Sequence, residues 1–356
     1  MRAGTRAIIG FVRTAARGCF EDAATMKLSI LDQSPIISGH SAADALQETL
    51  KLARRADELG YHRYWLAEHH AIAALADPCP EILLARLGAE TDRIRIGTGG
   101  VLLPYYSAFK TAEVFRMLEA LYPGRVDLGI GRAPGGDQRT AMAVGGGRVP
   151  TAEDFPQQVW ELIGHLDGTL PGDHPFKRVT VQPAGPGAPE LWLLGSSDYS
   201  GLLAAQLGVR FSFAHFINAQ GGDAVMRAYR ERYRKNGREP EPHTAICCFV
   251  ICAESDEEAE RRAKVVDCRR LDMGYNVDSV VPTQEEAEKR TFSAQELAYI
   301  KTQRPRLVHG SAATCKAKLT ALAEQFSADE LMVLTITGSY ATRLESYERL
   351  AKAFSL

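Results

Sequence analysis

A glutamate and two histidines stand next to each other at Glu68, His69 and His70, directly after a short apolar segment. A histidine exchanges protons near neutral pH, and a neighbouring carboxylate can orient its ring or accept a hydrogen bond from a ligand. Successive side chains on a strand end point in opposite directions, so only one of the two histidines is expected to face a pocket. Glu68 and His69 are therefore the candidate catalytic residues, with a purely structural pair as the alternative.

Three serines and one arginine have the spacing of an anion site. The segment LLGSSDYSGLLAAQLG runs from a strand through Gly-Ser-Ser into a helix. Free backbone N–H groups and the hydroxyls of Ser196, Ser197 and Ser200 can converge there on a phosphate. Arg132, directly after the preceding strand pattern, can add a charge-assisted contact. An ordinary serine helix cap and a surface arginine are the alternative interpretation.

Another strand pattern ends in Gly97, Thr98, Gly99 and Gly100, which leaves the backbone with little side-chain bulk. Such a backbone permits the close approach of a flat ring, and a glycine bulge at a barrel corner is the alternative. The sequence GRAPGGD is rich in glycine but lacks the spacing of a dinucleotide or phosphate-loop motif. No ligand set for a metal emerges, because the remaining histidines are scattered along the chain.

The scaffold must bring these strand ends together. From Met26 onward the chain alternates strand and helix patterns, which is typical of a parallel sheet with crossover helices. The predicted strands are KLSILDQ, RYWLAE, RIRIGTGG, RVDLGIG, ELWLLG, VRFSFAHF, HTAICCFVICA and ELMVLTIT. Eight strands predict an α/β protein with a single (β/α)8 TIM barrel over residues 26–356, whose site lies at the C-terminal strand ends. A doubly wound sheet of about six strands is the alternative.

The stretch from Arg269 to Pro305 interrupts this alternation between the predicted seventh and eighth strands. It is long, polar and charged, and its helical periodicity is weak. Segments of this length near the mouth of a barrel often act as lids. We expect a mobile insertion that closes over the site, with a solvated surface hairpin as the alternative.

Composition excludes several other classes of protein. A formal net charge of -2 provides no field that would attract nucleic acid or an acidic membrane, and no apolar run is long enough for a membrane span.

The seven cysteines form no Cys-x-x-Cys pair, so core thiols in a reducing cytoplasm are expected, although a zinc site in AICCFVICA is conceivable. Residues 1–25 are rich in arginine and are expected to be an unstructured N-terminal extension or the product of a misassigned start.

Four segments resemble the bacterial luciferase-like flavin monooxygenase family: RYWLAEHH, RIRIGTGGVLLP, PGRVDLGIGRAPG and LGSSDYSGLLAAQLG. Each motif is loose, but their order on successive strand ends is specific, and the resemblance runs from Met26 to about Phe354. It implies that Glu68 and His69 lie beside a flavin, with His69 handling the proton. It also implies that Gly99 and Gly100, commonly joined by a cis peptide in the family, pack against the isoalloxazine ring.

The resemblance further implies that Arg132, Ser196, Ser197 and Ser200 hold the flavin phosphate. Luciferase has a reactive cysteine where this chain has Gly131, which argues against light emission, and an acidic residue at the position of Ser196. The implied activity is oxidation of a small organic substrate with molecular oxygen by reduced FMN. A separate flavin reductase would supply the reduced FMN, and the protein would be a homodimer. Hydride transfer with the deazaflavin F420 and a non-catalytic flavin-binding barrel remain as alternatives.

Overall fold

Eight parallel strands form a closed barrel in the computed structural model of the chain, which describes residues 26–132, 137–148, 151, 153–235 and 237–356. The ring runs β6-β5-β4-β3-β2-β1-β9-β7 and closes because β6 also pairs with β7. This confirms the predicted TIM barrel. The strands are β1 (Lys27–Asp32), β2 (Arg63–Leu66), β3 (Arg95–Leu102), β4 (Val126–Gly131), β5 (Glu190–Gly195), β6 (Arg210–Ala214), β7 (Thr244–Ala253), β8 (Leu307–Ser311) and β9 (Glu330–Leu334).

Helices connect the strands on the outside of the barrel, and none in the described ranges is long and apolar enough to cross a membrane. They are α1 (Ala42–Leu59), α2 (Pro80–Ala89), α3 (Ala108–Leu121), α4 (Gln138–Val144), α5 (Phe155–Asp167), α6 (Asp198–Leu207), α7 (Gly222–Glu231), α8 (Asp256–Gly274), α9 (Gln284–Lys289), α10 (Ala294–Gln303), α11 (Ala312–Phe326) and α12 (Tyr340–Phe354). Helix α1 begins with a capping box between Ser41 and Asp44 and ends at Gly60, whose φ of 89° favours glycine. The predicted extension, residues 1–25, lies outside the described residues.

The insertion before the last barrel strand contains more regular structure than its sequence pattern predicts. The stretch from Arg269 to Pro305 contains the end of α8 and all of α9 and α10. The strand β8 follows it and pairs with Phe249–Ala253 of β7 outside the ring. The apolar side chains of the insertion pack beside the loop after β1, where Val281 pairs with Ile37. The pattern LVHGS is too short and too polar at its end to indicate a strand by itself. The mobility of the segment remains a prediction.

The N-terminal end of the barrel is filled by a buried ion network. Arg63, only 1% exposed, donates from Nε to Oε1 of Glu330 and from Nη1 to Oδ2 of Asp127, each at 2.7 Å. Trp65 donates to the same Asp127 oxygen at 2.9 Å, and the Arg63 guanidinium lies 4.8 Å from the ring centre of Trp192. Burial alone would raise the pKa of Glu330, but the charge of Arg63 and the hydrogen bonds to the carboxylate lower it to about 2. The network therefore depends on Arg63.

We expect Arg63→Ala to lower the free energy of unfolding by about 3–5 kcal/mol, because buried Glu330 would lose its arginine partner and buried Asp127 would keep only the half of its charge compensation that Arg95 provides. Arg55→Ala is the control: Arg55 also pairs with two carboxylates, but its side chain is 41% exposed, so about 0–1 kcal/mol is expected. Urea denaturation at pH 7 measures both variants. Equal losses would show that the buried network does not stabilise the barrel.

Candidate active site

A cavity of about 270 Å³ opens at the C-terminal ends of the barrel strands. Its walls contain eight of the nine residues proposed for the site, since Thr98 alone of them is missing from the lining. Thr98 is fully buried, and its hydroxyl donates to the carbonyl of Gly129 at 2.9 Å. The residue therefore joins β3 to β4 and faces away from the cavity. The eight lining residues are Glu68, His69, Gly99, Gly100, Arg132, Ser196, Ser197 and Ser200.

The carboxylate of Glu68 connects the loop after β2 to the end of β3 through hydrogen bonds. Its Oε1 accepts from the hydroxyl of Tyr106 at 2.5 Å and is 2.7 Å from Nε2 of His70. Its Oε2 accepts from the backbone N–H of Leu102 at 2.8 Å. Burial and this hydrogen bond raise the pKa of Tyr106, so the phenol keeps its proton and donates it to the carboxylate. Both oxygens are occupied, and Glu68 orients His70 rather than His69.

His69 faces the cavity, and His70 does not contribute to its lining. The backbone N–H of His69 donates to the carbonyl of Asp77 at 3.1 Å, which fixes the loop after β2. The ring Nδ1 is buried and has no hydrogen-bond partner among the described residues. Burial lowers the pKa of His69 to about 4, so the imidazole is neutral at neutral pH. A neutral imidazole in a cavity wall is suited to exchanging a proton with a ligand.

The wall beside His69 is bare backbone at Gly99 and Gly100, whose shared peptide bond is cis. A β-carbon on Gly99 would stand 2.6 Å from Cδ1 of Leu31, and one on Gly100 would stand 2.7 Å from the carbonyl oxygen of Gly129. Neither position has room for a side chain. The surface that these glycines present is thus flat enough for the face of a planar ring to approach.

The neighbouring wall, at the ends of β4 and β5, has the character of an anion site. The Arg132 guanidinium stacks 4.4 Å from the ring centre of Tyr199 and forms no ion pair with a described residue. Ser197 is the N-cap of α6, yet its side chain makes no capping hydrogen bond. The serine caps of six other described helices all accept from the first turn, for example Ser41 of α1 and Ser339 of α12. Ser197 is therefore not an ordinary cap, and its hydroxyl is available to a ligand.

Sequence reasoning missed the apolar walls of the cavity. They come from Leu31, Trp65, Leu194, Cys247 and Met332, which the strand patterns place in the sheet without showing which face points inward. Burial keeps the pKa of the Cys247 thiol well above its usual range, so it is not a nucleophile at neutral pH. Among the described residues, no group of three or more His, Cys, Asp or Glu side chains could hold a metal ion.

The insertion lies beside the cavity mouth. None of the described residues that line the cavity belongs to the stretch from Arg269 to Pro305. The stretch is hydrogen-bonded to the loop after β2: Oδ1 of Asp278 accepts from the backbone N–H of Ala73 at 2.8 Å. A lid function for this segment remains a prediction that would require it to move.

Asp77, behind the His69 loop, is a buried acid with an incomplete set of partners. Its side chain is 3% exposed, Oδ1 accepts from the N–H of Cys79 at 3.0 Å, and Oδ2 is buried without a partner. Burial and the nearby carboxylates of Asp32, Glu81 and Glu68 raise the pKa of Asp77 to about 7. The folded protein therefore holds a proton on Asp77 up to near-neutral pH.

Comparison with known proteins finds the same architecture. Residues 26–330 match the family model described as luciferase-like monooxygenase. Protein YwcH of Bacillus subtilis is 43% identical, over 93% of this chain and 99% of its own length. The N-acetyl-S-alkylcysteine monooxygenase of the same organism is 36% identical, over 92% and 98%. The crystal structure of apo-MsnO8 superposes with a TM-score of 0.87 at 40% identity, covering 93% of this chain and 99% of that one.

We expect Asp77→Asn to stabilise the protein at pH 8 but not at pH 4. An acid whose folded pKa is raised favours folding below its unfolded pKa, and this contribution is lost as the pH rises toward 7. Asparagine stays neutral and can still accept from Cys79, so the gain should reach on the order of 2–4 kcal/mol at pH 8. Denaturation curves across this pH range measure it. A difference independent of pH would contradict the proposed protonation of Asp77.

Proposed function

The chain belongs to the luciferase-like monooxygenase family, and we propose that it is a flavin-dependent monooxygenase that uses reduced FMN and molecular oxygen to oxidise a small organic substrate. One observation carries the proposal. On neighbouring strands, the cavity has bare glycine backbone beside a neutral histidine, followed by an arginine without a counter-charge among the described residues and a helix N-terminus without a side-chain cap. A phosphate at one end and a flat ring at the other are the two parts of FMN.

FMN would be held by side chains that follow β4 and β5. Arg132, Ser197 and the N–H groups of the first turn of α6 would bind the phosphate, with Ser196 and Ser200 completing the cradle. The isoalloxazine ring would lie against Gly99 and Gly100. Reduced FMN, when bound, supplies the two electrons with which one oxygen atom enters the substrate and the other becomes water.

The chain's own residues would handle the proton and exclude water. His69 is neutral at neutral pH, and its ring in the cavity wall can accept or return a proton. Glu68 would act through position, because it holds the end of β3 and the His70 ring in place. The apolar walls, including Trp65 and Leu194, would keep water from the reacting atoms.

A separate reductase would supply the reduced flavin, since the sequence has no nicotinamide-binding motif. We also propose a homodimer. Ile82 of α2 and Met117 and Leu121 of α3 are 70%, 59% and 54% exposed, and they share one groove between these helices. A contiguous apolar patch of this kind favours contact with another protein surface. Size-exclusion chromatography with light scattering would test the dimer.

An absorption titration of the purified protein with FMN and with F420 tests the cofactor, and oxygen uptake with the reduced form tests the reaction. The proposal predicts tight FMN binding and oxygen consumption that forms product when a substrate is present. F420 binding without oxygen uptake would favour hydride transfer instead. Flavin binding without turnover of any substrate would favour a non-catalytic barrel.

We expect Arg132→Ala to weaken FMN binding about ten- to a hundredfold and riboflavin binding much less. Riboflavin lacks the phosphate, so a contact to that group affects FMN alone. Fluorescence titration with both ligands measures the two losses, and Arg178→Ala, which removes an exposed arginine away from the cavity lining, is the control. Equal losses for the two ligands would place Arg132 outside the phosphate site.

We expect His69→Ala to retain FMN but to slow turnover by about 10²–10⁴-fold, because a positioned proton donor or acceptor is lost. His70→Ala removes a hydrogen bond to Glu68 and should mainly lower stability. Steady-state rates, FMN affinity and denaturation midpoints separate the two effects. If His70→Ala were the slower enzyme and His69→Ala the less stable protein, the two roles would have to be exchanged.

A further inference from the structure

The cavity walls differ between two halves of the barrel. Strands β2 to β5 contribute His69, the glycine pair, Arg132 and the serines, which are the groups proposed to hold the flavin. The other half is formed by β6, β7, β9 and β1, which are neighbours in the ring. Its side chains include Leu31, Gln33, Ala214, Phe216, Cys247 and Met332. With the cofactor on the first half, this second half is the surface left for a substrate.

This second half carries no charged side chain among the described lining residues. Across the whole described lining, the acidic and basic side chains are Glu68, His69 and Arg132, and all three belong to the flavin half. Arg132 would be neutralised by the flavin phosphate. Glu68 already accepts three hydrogen bonds and its side chain is only 2% exposed, so its carboxylate is poorly placed to pair with a cationic substrate. A charged ligand in the second half would lose its hydration without gaining a counter-charge, which is strongly unfavourable.

Gln33 and Ser212 are the polar residues that this half contributes to the described lining, and Ser212 is only 4% exposed within β6. Gln33 is the more accessible of the two. It follows β1, is half-buried, and its side-chain amide makes no hydrogen bond with any described residue. A primary amide both donates and accepts hydrogen bonds. It can therefore bind a carbonyl, an amide or a hydroxyl group without requiring a charge on the ligand.

We propose that the site selects an uncharged organic substrate with one hydrogen-bonding group, and that Gln33 is the residue that binds this group. The inference rests on the proposed function, because it assumes that FMN occupies the half of the cavity on β2 to β5. The proposed preference for an uncharged substrate would distinguish this chain from its relative named N-acetyl-S-alkylcysteine monooxygenase, because an N-acetyl-S-alkylcysteine carries a carboxylate.

A matched pair of ligands tests the inference on the FMN-loaded protein. N-acetyl-S-methylcysteine carries a carboxylate, and its carboxamide has nearly the same shape without the charge. Binding of each is followed by the change in the absorption of bound FMN, which requires no turnover. The carboxamide is expected to bind at least about tenfold more tightly than the acid, because only the acid must be desolvated as an ion.

Two variants at one position sharpen the test. Gln33→Lys adds a cation to the second half and should shift the preference at least about tenfold toward the acid. Gln33→Leu is the matched control: it should weaken the carboxamide and leave the acid no better bound, because it removes the amide without adding a charge.

Equal or tighter binding of the acid to the unaltered protein would overturn the inference, and so would a failure of the carboxamide to bind at all. A Gln33→Leu variant that binds the carboxamide as tightly as the unaltered protein would remove Gln33 from the site. Failure of the protein to bind FMN, measured before any ligand is added, would count against the proposed function instead. The two failures are thus distinguishable.

Discussion

The hydrogen bonds of the Glu68 carboxylate hold the cavity in shape. Glu68 lies just after β2, and its side chain accepts a hydrogen bond from the backbone N–H of Leu102 at the end of β3. The bare glycine wall and the histidine loop are thereby fixed relative to each other. Because adjacent side chains at a strand end diverge, the contact of Glu68 with His70 leaves His69 to face the cavity. The arrangement of the glycine wall depends on this one buried group.

The two ends of the barrel differ in how a buried or partly buried arginine is compensated. The difference indicates which arginine stabilises the fold and which could bind a ligand. At the N-terminal end, Arg63 is surrounded by the buried carboxylates of Asp127 and Glu330, so its charge is fully compensated. At the C-terminal end, Arg132 lies on an aromatic ring and has no acidic partner among the described residues. A compensated arginine stabilises the fold, whereas an uncompensated arginine in a cavity is suited to an anionic ligand.

The fold was predictable because each barrel strand is followed by a helix with its own start and stop signals, as at Ser41 and Gly60. The polar site residues were predictable because the closed parallel barrel gathers its strand ends. Features that depend on the register of a strand were not predictable from the sequence. The sequence could not show that Thr98 faces β4, that Glu68 binds His70, or that Met332 lines the cavity, since a shift of one residue reverses each orientation.

The account predicts the position of FMN in the cavity, and a crystal structure of the FMN complex tests that position directly. The expected result has phosphate oxygens within about 3 Å of the Arg132 guanidinium and the Ser197 hydroxyl. The isoalloxazine ring should lie against Gly99 and Gly100, with His69 at its edge. A complex in which the phosphate lies elsewhere, while Arg132 points into solvent, would contradict the account.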